Sequence, residues 1–321
     1  MTDGPPPTIP LGPGAEFDLV RRLVARWGPL AEGIGDDAAV VDLPAGERLV
    51  VSTDASVDRV HFRRDWLSAR EIGYRATASA LSDLAAMGAR AVGVVVALTL
   101  PDAWRDALDD LADGIGDAVR RADGRVLGGD LSRGGELALA VTVLGAASRP
   151  VGRASARPGD ALYVTGALGG PLRTLRALER GEAPSPADRA RFAAPVARVA
   201  EGQWLAARGA SAMIDVSDGL AADLRHVAAA SGVRLCIDGD RVPCVAGASL
   251  EDALASGEEY ELALTASPAL DVLSFASTFG VPLTRIGTVE ASRGEAGSVE
   301  VRGVESAARV DLPPGHDHFS R

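Results

Sequence analysis

The stretch RVLGGDLSRGGELALAVTVLG, Arg125–Gly145, reads as a short strand over Arg125–Leu127, a glycine-rich turn, and a second strand over Glu136–Gly145. No helix separates the two strands. The same adjacency returns later, at Val233–Ile237, Tyr260–Thr265, Leu283–Val289 and Val299–Arg302, with one helix near Leu270–Phe279. Neighbouring strands without regular helical crossovers, in both halves, argue for α+β layers and against a doubly wound sheet. Upstream of the quoted stretch lie a strand (Ala91–Leu100), a helix (Pro101–Arg121) and a long helix (Ser68–Met87). That long helix opens on Ser68 and Glu71, a capping-box spacing, and stops at Gly88. Further back come strands at Ala38–Asp42 and Arg48–Asp54 and a helix at Glu16–Trp27. Downstream, turn-rich Ser148–Pro158 marks a boundary. Beyond it are a strand (Ala161–Thr165), helical segments to about Arg208, and a strand (Ala212–Asp215) running into a helix (Ser217–Ala230). With 321 residues, two domains are expected: a mobile arm over 1–15, an N-terminal domain over 16–150 and a C-terminal domain over 151–321.

A formal charge of −11 with no basic run would repel polyanions, so nucleic acid and anionic membranes are not expected as partners. Cys236 and Cys244 form neither a disulfide framework nor a zinc spacing. The first residues lack the basic and apolar regions of a signal peptide. The longest apolar run, Ala91–Leu100, is half the length a bilayer needs. A soluble cytoplasmic protein is expected. The chain holds no lysine and no asparagine, and all 33 basic residues are arginine. P-loop enzymes, protein kinases and pyridoxal enzymes each need a lysine at the reacting group, so all three classes are excluded. If phosphates are handled here, other cations neutralise them.

The aspartates fall in a pattern. Asp36 and Asp37 sit in GIGDD, Asp54 closes LVVSTD, Asp130 closes RVLGGD, and Asp215 and Asp218 lie in AMIDVSDG. Asp83 stands inside the long helix, flanked by Leu81, Leu84, Ala85 and Ala86. A carboxylate that ends an apolar strand run is costly unless a cation or hydrogen-bond donors satisfy it. With Ser52, Thr53 and Ser217 beside them and few histidines, these carboxylates describe a hard-oxygen site suited to magnesium and not to zinc. Glycine turns at Gly128–Gly129 and Gly166–Gly170 would allow backbone to approach phosphates. Spacing alone also admits a plainer arrangement, in which the strand ends are capped and Asp218 lies in the first turn of a helix, where the dipole favours it.

In order along the chain, GIGDDAAVV, STDASVDRVHF, LSDLAAMGA, LGGDLSRG, DVSDGLAADL, SGEEYEL and GHDHF resemble the motif set of the thiamine-monophosphate kinase family. That family belongs to the superfamily of aminoimidazole-ribonucleotide synthetase and selenophosphate synthetase. The resemblance covers roughly Glu16 to Phe319. It implies a two-domain fold whose N-terminal domains pair across a homodimer, with ATP and a magnesium cluster in the cleft. It implies phosphorylation of thiamine monophosphate to thiamine diphosphate by direct transfer. Position by position, Asp37, Asp54, Asp83, Asp130, Asp215 and Asp218 resemble the metal ligands, with Ser52 and Thr53 assisting. Gly129 and Ser217 match nucleotide contacts, and Arg153 matches a phosphate-contacting arginine. Asp54, Asp130, Asp218 and Arg153 are thereby the catalytic set. His61 and Glu258 match substrate positions. The family's asparagine before LSDL is here Ala80, and its aromatic in the tail motif is here His316, which takes the place of the residue stacking on thiamine. Two other readings stay open on the residues alone: a sister ATP-dependent cyclo-ligase or maturation dehydratase, and a non-catalytic regulator that binds nucleotide or divalent ions.

Overall fold

The computed structural model describes residues 15–31, 34, 38–292 and 297–303. Asp36, Asp37, the N-terminal arm as far as Gly14, and the tail carrying His316 lie outside the described residues. Two compact units form, Met1–Leu84 with Arg90–Ser148, and Ala85–Ala89 with Arg149–Arg321.

The first unit contains α1 (Ala15–Trp27), β1 (Arg48–Val57), α2 (Ala69–Ala86), β2 (Arg90–Leu100), α3 (Leu108–Arg121), β3 (Val126–Arg133) and β4 (Ala138–Ala147). Its sheet runs β1-β4-β2-β3, with β2 and β3 parallel and the other pairs antiparallel. At the start of α2, Glu71 N–H donates to Ser68 Oγ (3.3 Å) and Ser68 N–H donates to the Glu71 carboxylate (2.8 Å), closing the capping box its spacing predicts. Gly88, at φ +63, follows the helix end. A Cβ on Gly73 of α2 would lie 2.2 Å from Leu111 O, and one on Gly114 of α3 would lie 1.9 Å from Arg70 O. The two helices therefore meet backbone against backbone.

Two strand expectations change. Ala38–Asp42 forms no strand, and Val40 is 88% exposed. An apolar run is not a strand until another strand takes its N–H and C=O groups. Asp54 and Asp130 do not end their strands. β1 continues three residues beyond Asp54 and β3 three beyond Asp130, because β4 and β2 carry the ladder past them. Where one continuous helix was expected over Pro101–Arg121, a 3-10 turn at Asp102–Ala107 precedes α3.

One face of the first unit's sheet is covered: Val96, Leu98, Leu139, Val141 and Val143 are all buried. The other face carries Leu49, Val51, Thr53 and Ala55 of β1, Ala97 of β2 and Ala140 of β4, all exposed. An exposed antiparallel face ordinarily alternates to polar residues; this one is largely apolar.

The second unit contains β5 (Ala161–Thr165), α4 (Gly170–Glu179), α5 (Pro186–Ala193), α6 (Val199–Ala207), β6 (Ala212–Asp215), α7 (Leu220–Ser231), β7 (Val233–Asp238), α8 (Leu250–Ala255), β8 (Leu262–Ala266), α9 (Val272–Phe279), β9 (Leu283–Ala291) and β10 (Ser298–Arg302). Its sheet runs β10-β7-β9-β5-β8-β6, parallel only between β10 and β7. Ile214, Leu220, Leu224, Leu235, Ile286 and Val289 belong to one buried core. The helix expected from Ser217 begins at Leu220, after Gly219 at φ +116, a conformation that favours glycine. Asp218 thus precedes the helix. Both units are mixed helix-and-sheet layers, and the fold is α+β. No helix among the described residues is long and apolar enough to cross a membrane.

Candidate active site

Ser52, Thr53 and Asp54 are consecutive on β1, so the pleat sends them to alternate faces. Ser52 and Asp54 share the face toward Asp83 of α2. Ser52 Oγ donates to Asp83 Oδ2 at 2.5 Å. Burial, and then the charge of Asp83, push the Asp54 carboxyl up to about 6. Among the described residues no arginine pairs with either carboxylate, although every basic residue of the chain is an arginine.

Thr53 lies on the open face, where its hydroxyl meets Thr142 Oγ1 at 3.0 Å. The register Asp130↔Ala97↔Ala140↔Ala55 sets Asp130 on that same exposed face. The structure therefore groups Ser52, Asp54 and Asp83 and places Thr53 and Asp130 on the other side of the pleat. Gly129 occupies the row of Asp54, Val141 and Val96. A Cβ there would lie 2.0 Å from Val96 O, so close strand approach is one reason for glycine at this position. His61 sits in the turn after β1, beside buried Phe62. Val57 N–H donates to His61 Nδ1 (3.1 Å), which leaves the neutral ring's proton on Nε2.

In the second unit, Asp215 ends β6 and is buried, and Ser217 and Asp218 lie in the loop leading to α7. Asp223, one turn into α7, reaches back to this loop. Its Oδ2 accepts from the N–H groups of Ser217 (3.0 Å), Asp218 (3.1 Å) and Gly219 (3.2 Å). Burial, and then the charge of Asp215, push the Asp223 carboxyl up to about 8, while the N–H donors oppose them. The loop's other side is held by the Gly257–Glu261 segment. Glu258 N–H donates to Ser217 O (2.7 Å), Tyr260 N–H to Val216 O (2.9 Å) and Val216 N–H to Glu261 O (2.8 Å). Glu258 and Tyr260 take left-handed backbone, at φ 57 and φ 53. Such conformations cost about 1–3 kcal/mol each for residues with side chains.

Behind that segment lies a buried ionic network. Arg198 grips Glu261 with two bonds (2.9 and 2.6 Å), and Thr165 Oγ1 donates to the same carboxylate (2.6 Å). Arg191 bonds Glu259 (3.0 Å) and the carbonyl of Ala167 (2.7 Å). The Gly169 N–H donates to Glu259 Oε1, so this amide of the glycine-rich turn serves a side chain and not a phosphate. A Cβ on Gly166 would lie 2.2 Å from the Glu261 carboxylate. Arg153 differs from these arginines: it is exposed, and among the described residues its guanidinium has no ion pair.

Sequence reasoning missed Asp223, Glu259, Glu261, Arg191 and Arg198. The available signal was a carboxylate amid apolar helix residues in LAADLRHV and three glutamates leading into an apolar strand in EEYELAL. Among the described residues, no three acidic, histidine or cysteine side chains already converge as a closed metal cage.

Residues 35–147 match the N-terminal domain, and residues 157–300 the C-terminal domain, of AIR synthase related proteins. The thiamine-monophosphate kinase of Salmonella typhimurium is 34% identical over 333 residues, covering 95% of this chain and 98% of the relative. The crystal structure of thiamine-monophosphate kinase from Stenotrophomonas maltophilia superposes with a TM-score of 0.80 at 37% identity, covering 90% of this chain and 97% of that one. A structure of AaThiL complexed with AMPPCP and TMP superposes at 0.74 with 28% identity, covering 94% and 96%. Because identity at this level runs nearly end to end through both domains, the chain belongs to the thiamine-monophosphate kinase family.

Proposed function

We propose that the chain is an ATP-dependent kinase that converts thiamine monophosphate to thiamine diphosphate. An oxygen of the acceptor phosphate attacks the γ-phosphorus of ATP, the bond to the β-phosphate breaks, and ADP leaves. The acceptor is a phosphate monoester with a second pKa of ~6, largely a dianion at neutral pH, so no general base is required. Two polyanions must meet in line, and catalysis reduces to positioning and charge cancellation. The carrying observation is the set Ser52, Asp54 and Asp83: hard-oxygen donors, two of them carboxylates held close together and left unanswered by any described arginine. Such a set fits magnesium. When bound, magnesium supplies the positive charge that lysine supplies elsewhere.

In this reading Ser52, Asp54 and Asp83 hold metal on one side of β1, and Thr53 and Asp130 on the other. Asp37, Asp215 and Asp218 are the remaining metal ligands of this reading. Arg153, exposed and without an ion pair among the described residues, neutralises a phosphate; Ser217 and Gly129 contact the nucleotide. His61, Glu258 and His316 bind the acceptor, with His61 offering its imidazole ring. The exposed apolar face of the first unit's sheet supports a homodimer in which a second copy covers it. The enzyme is placed in the cytoplasm, with residues 16–150 and 151–321 as its domains.

Incubation of the purified protein with magnesium, ATP and thiamine monophosphate, followed by mass spectrometry, is expected to give thiamine diphosphate and ADP in equal amounts. Binding of ATP and magnesium without that product would support the regulator reading instead. Sedimentation as a monomer at micromolar concentration would remove the dimer.

A further inference from the structure

We infer that Asp223 is a positioning residue for the nucleotide- and metal-binding loop, holding the backbone of Ser217, Asp218 and Gly219 through one carboxylate oxygen. The assignment of Ser217 and Asp218 to nucleotide and metal rests on the reading above; the templating of the loop rests on geometry alone.

Three observations carry the inference. The helix α7 lacks an ordinary cap: its N-cap is Gly219, with no side chain to accept the first free N–H groups. Elsewhere in the chain Ser185, Ser249 and Asp271 cap their helices in the usual way. Here the acceptor comes from inside the helix and points backward. Next, Asp223 is 1% exposed, and its Oδ2 gathers three N–H groups that precede the helix and not those within it. A buried N–H left without an acceptor is costly, so losing this one oxygen would leave three successive amides unanswered. Finally, the opposite edge of the loop is held by Glu258 and Tyr260, both in left-handed backbone. The loop is thus fixed from two sides, and Asp223 is the only side chain among the described contacts that bonds its three successive amides.

The test uses the full-length protein with Asp223→Ala and Asp223→Asn. Asparagine keeps a carbonyl oxygen that can accept the same N–H groups; alanine does not. Hydrogen–deuterium exchange of a peptide spanning Asp215–Ala222 is expected to quicken at least tenfold in Asp223→Ala. In Asp223→Asn it is expected to stay within threefold of wild type. With AMPPCP and magnesium, calorimetric affinity should fall at least tenfold for the alanine variant and be largely rescued by asparagine. In steady state the KM for ATP should rise with it, while the KM for thiamine monophosphate changes less than threefold. Unchanged exchange and affinity in Asp223→Ala overturn the inference. So does an asparagine variant that folds yet loses both, since charge and not acceptance would then be the role. If Asp223→Ala does not fold, the asparagine variant decides alone. A wild-type protein that makes no thiamine diphosphate sinks the functional reading, while the exchange result still decides the role of Asp223.

Discussion

Two groups of buried or half-buried carboxylates among the described residues are answered in opposite ways. In the second unit, Glu259 and Glu261 lie behind the Gly257–Glu261 segment and meet Arg191, Arg198, Thr165 and the Gly169 amide. Asp223 meets three backbone amides. In the first unit, Asp54 and Asp83 face each other with one serine hydroxyl between the helix and the strand, and no arginine among the described residues pairs with them. A carboxylate whose partners are internal holds the fold in place. One with no cation beside it is, in the function proposed above, open to a ligand. Burial alone does not separate the two kinds; the inventory of partners does.

The largest effect should come from the unanswered group. Asp54→Asn is expected to lower turnover about a thousandfold, ~4 kcal/mol of transition-state stabilisation. Its thermal midpoint should hold or rise, since a repelling charge beside Asp83 is gone. Wild-type activity at saturating magnesium would collapse the contrast between the units. The answered group should behave in reverse. Arg198→Met leaves Glu261 buried without its main partner and should cost ~3–5 kcal/mol of stability in urea titration. Turnover per folded molecule should change little; unchanged stability would show that the network is not what holds the segment.

The smallest effect belongs to a carboxylate answered in solvent. On β9, Glu290 bonds Arg302 (2.7 Å) and Arg234. The bonds from Arg302, then Arg234, hold its carboxyl well below the usual range, at about 2. Because the folded value is depressed, the contribution is fully present above the ordinary glutamate value and is lost as pH falls from about 4.5 to 2. Glu290→Gln should lower the thermal midpoint by no more than about two degrees at pH 7. The difference should vanish near pH 2. A difference that grows on acidification would reverse the assigned sign.

How far the sequence spoke depended on what each residue's partner was. Strands with strong apolar runs, such as Ala161–Thr165 and Ala212–Asp215, match the structure to the residue, and so does the Ser68–Glu71 cap. The carboxylates of β1 and α2 were legible because they interrupt apolar runs. Their faces were not, because a strand end and a mid-strand position look alike until β4 and β2 are paired beside them. Asp223 and Glu261 escaped notice for the opposite reason: in an acidic chain, a carboxylate near a helix start or before a strand reads as a solvated group. Only the folded chain brings Arg198 to Glu261, 63 residues away in sequence.

The alternation of Ser52, Thr53 and Asp54 gives β1 something like a reading frame. Side chains repeat every second residue, so a one-residue slip against β4 would carry Asp54 away from Asp83 and turn Thr53 toward it. Every contact on both faces would change at once, with no substitution anywhere in the chain. The Thr53–Thr142 pair then acts as a check on that frame. A single-residue insertion in the turn before Arg48 can be absorbed outside the strand, whereas the same insertion between Val50 and Asp54 cannot.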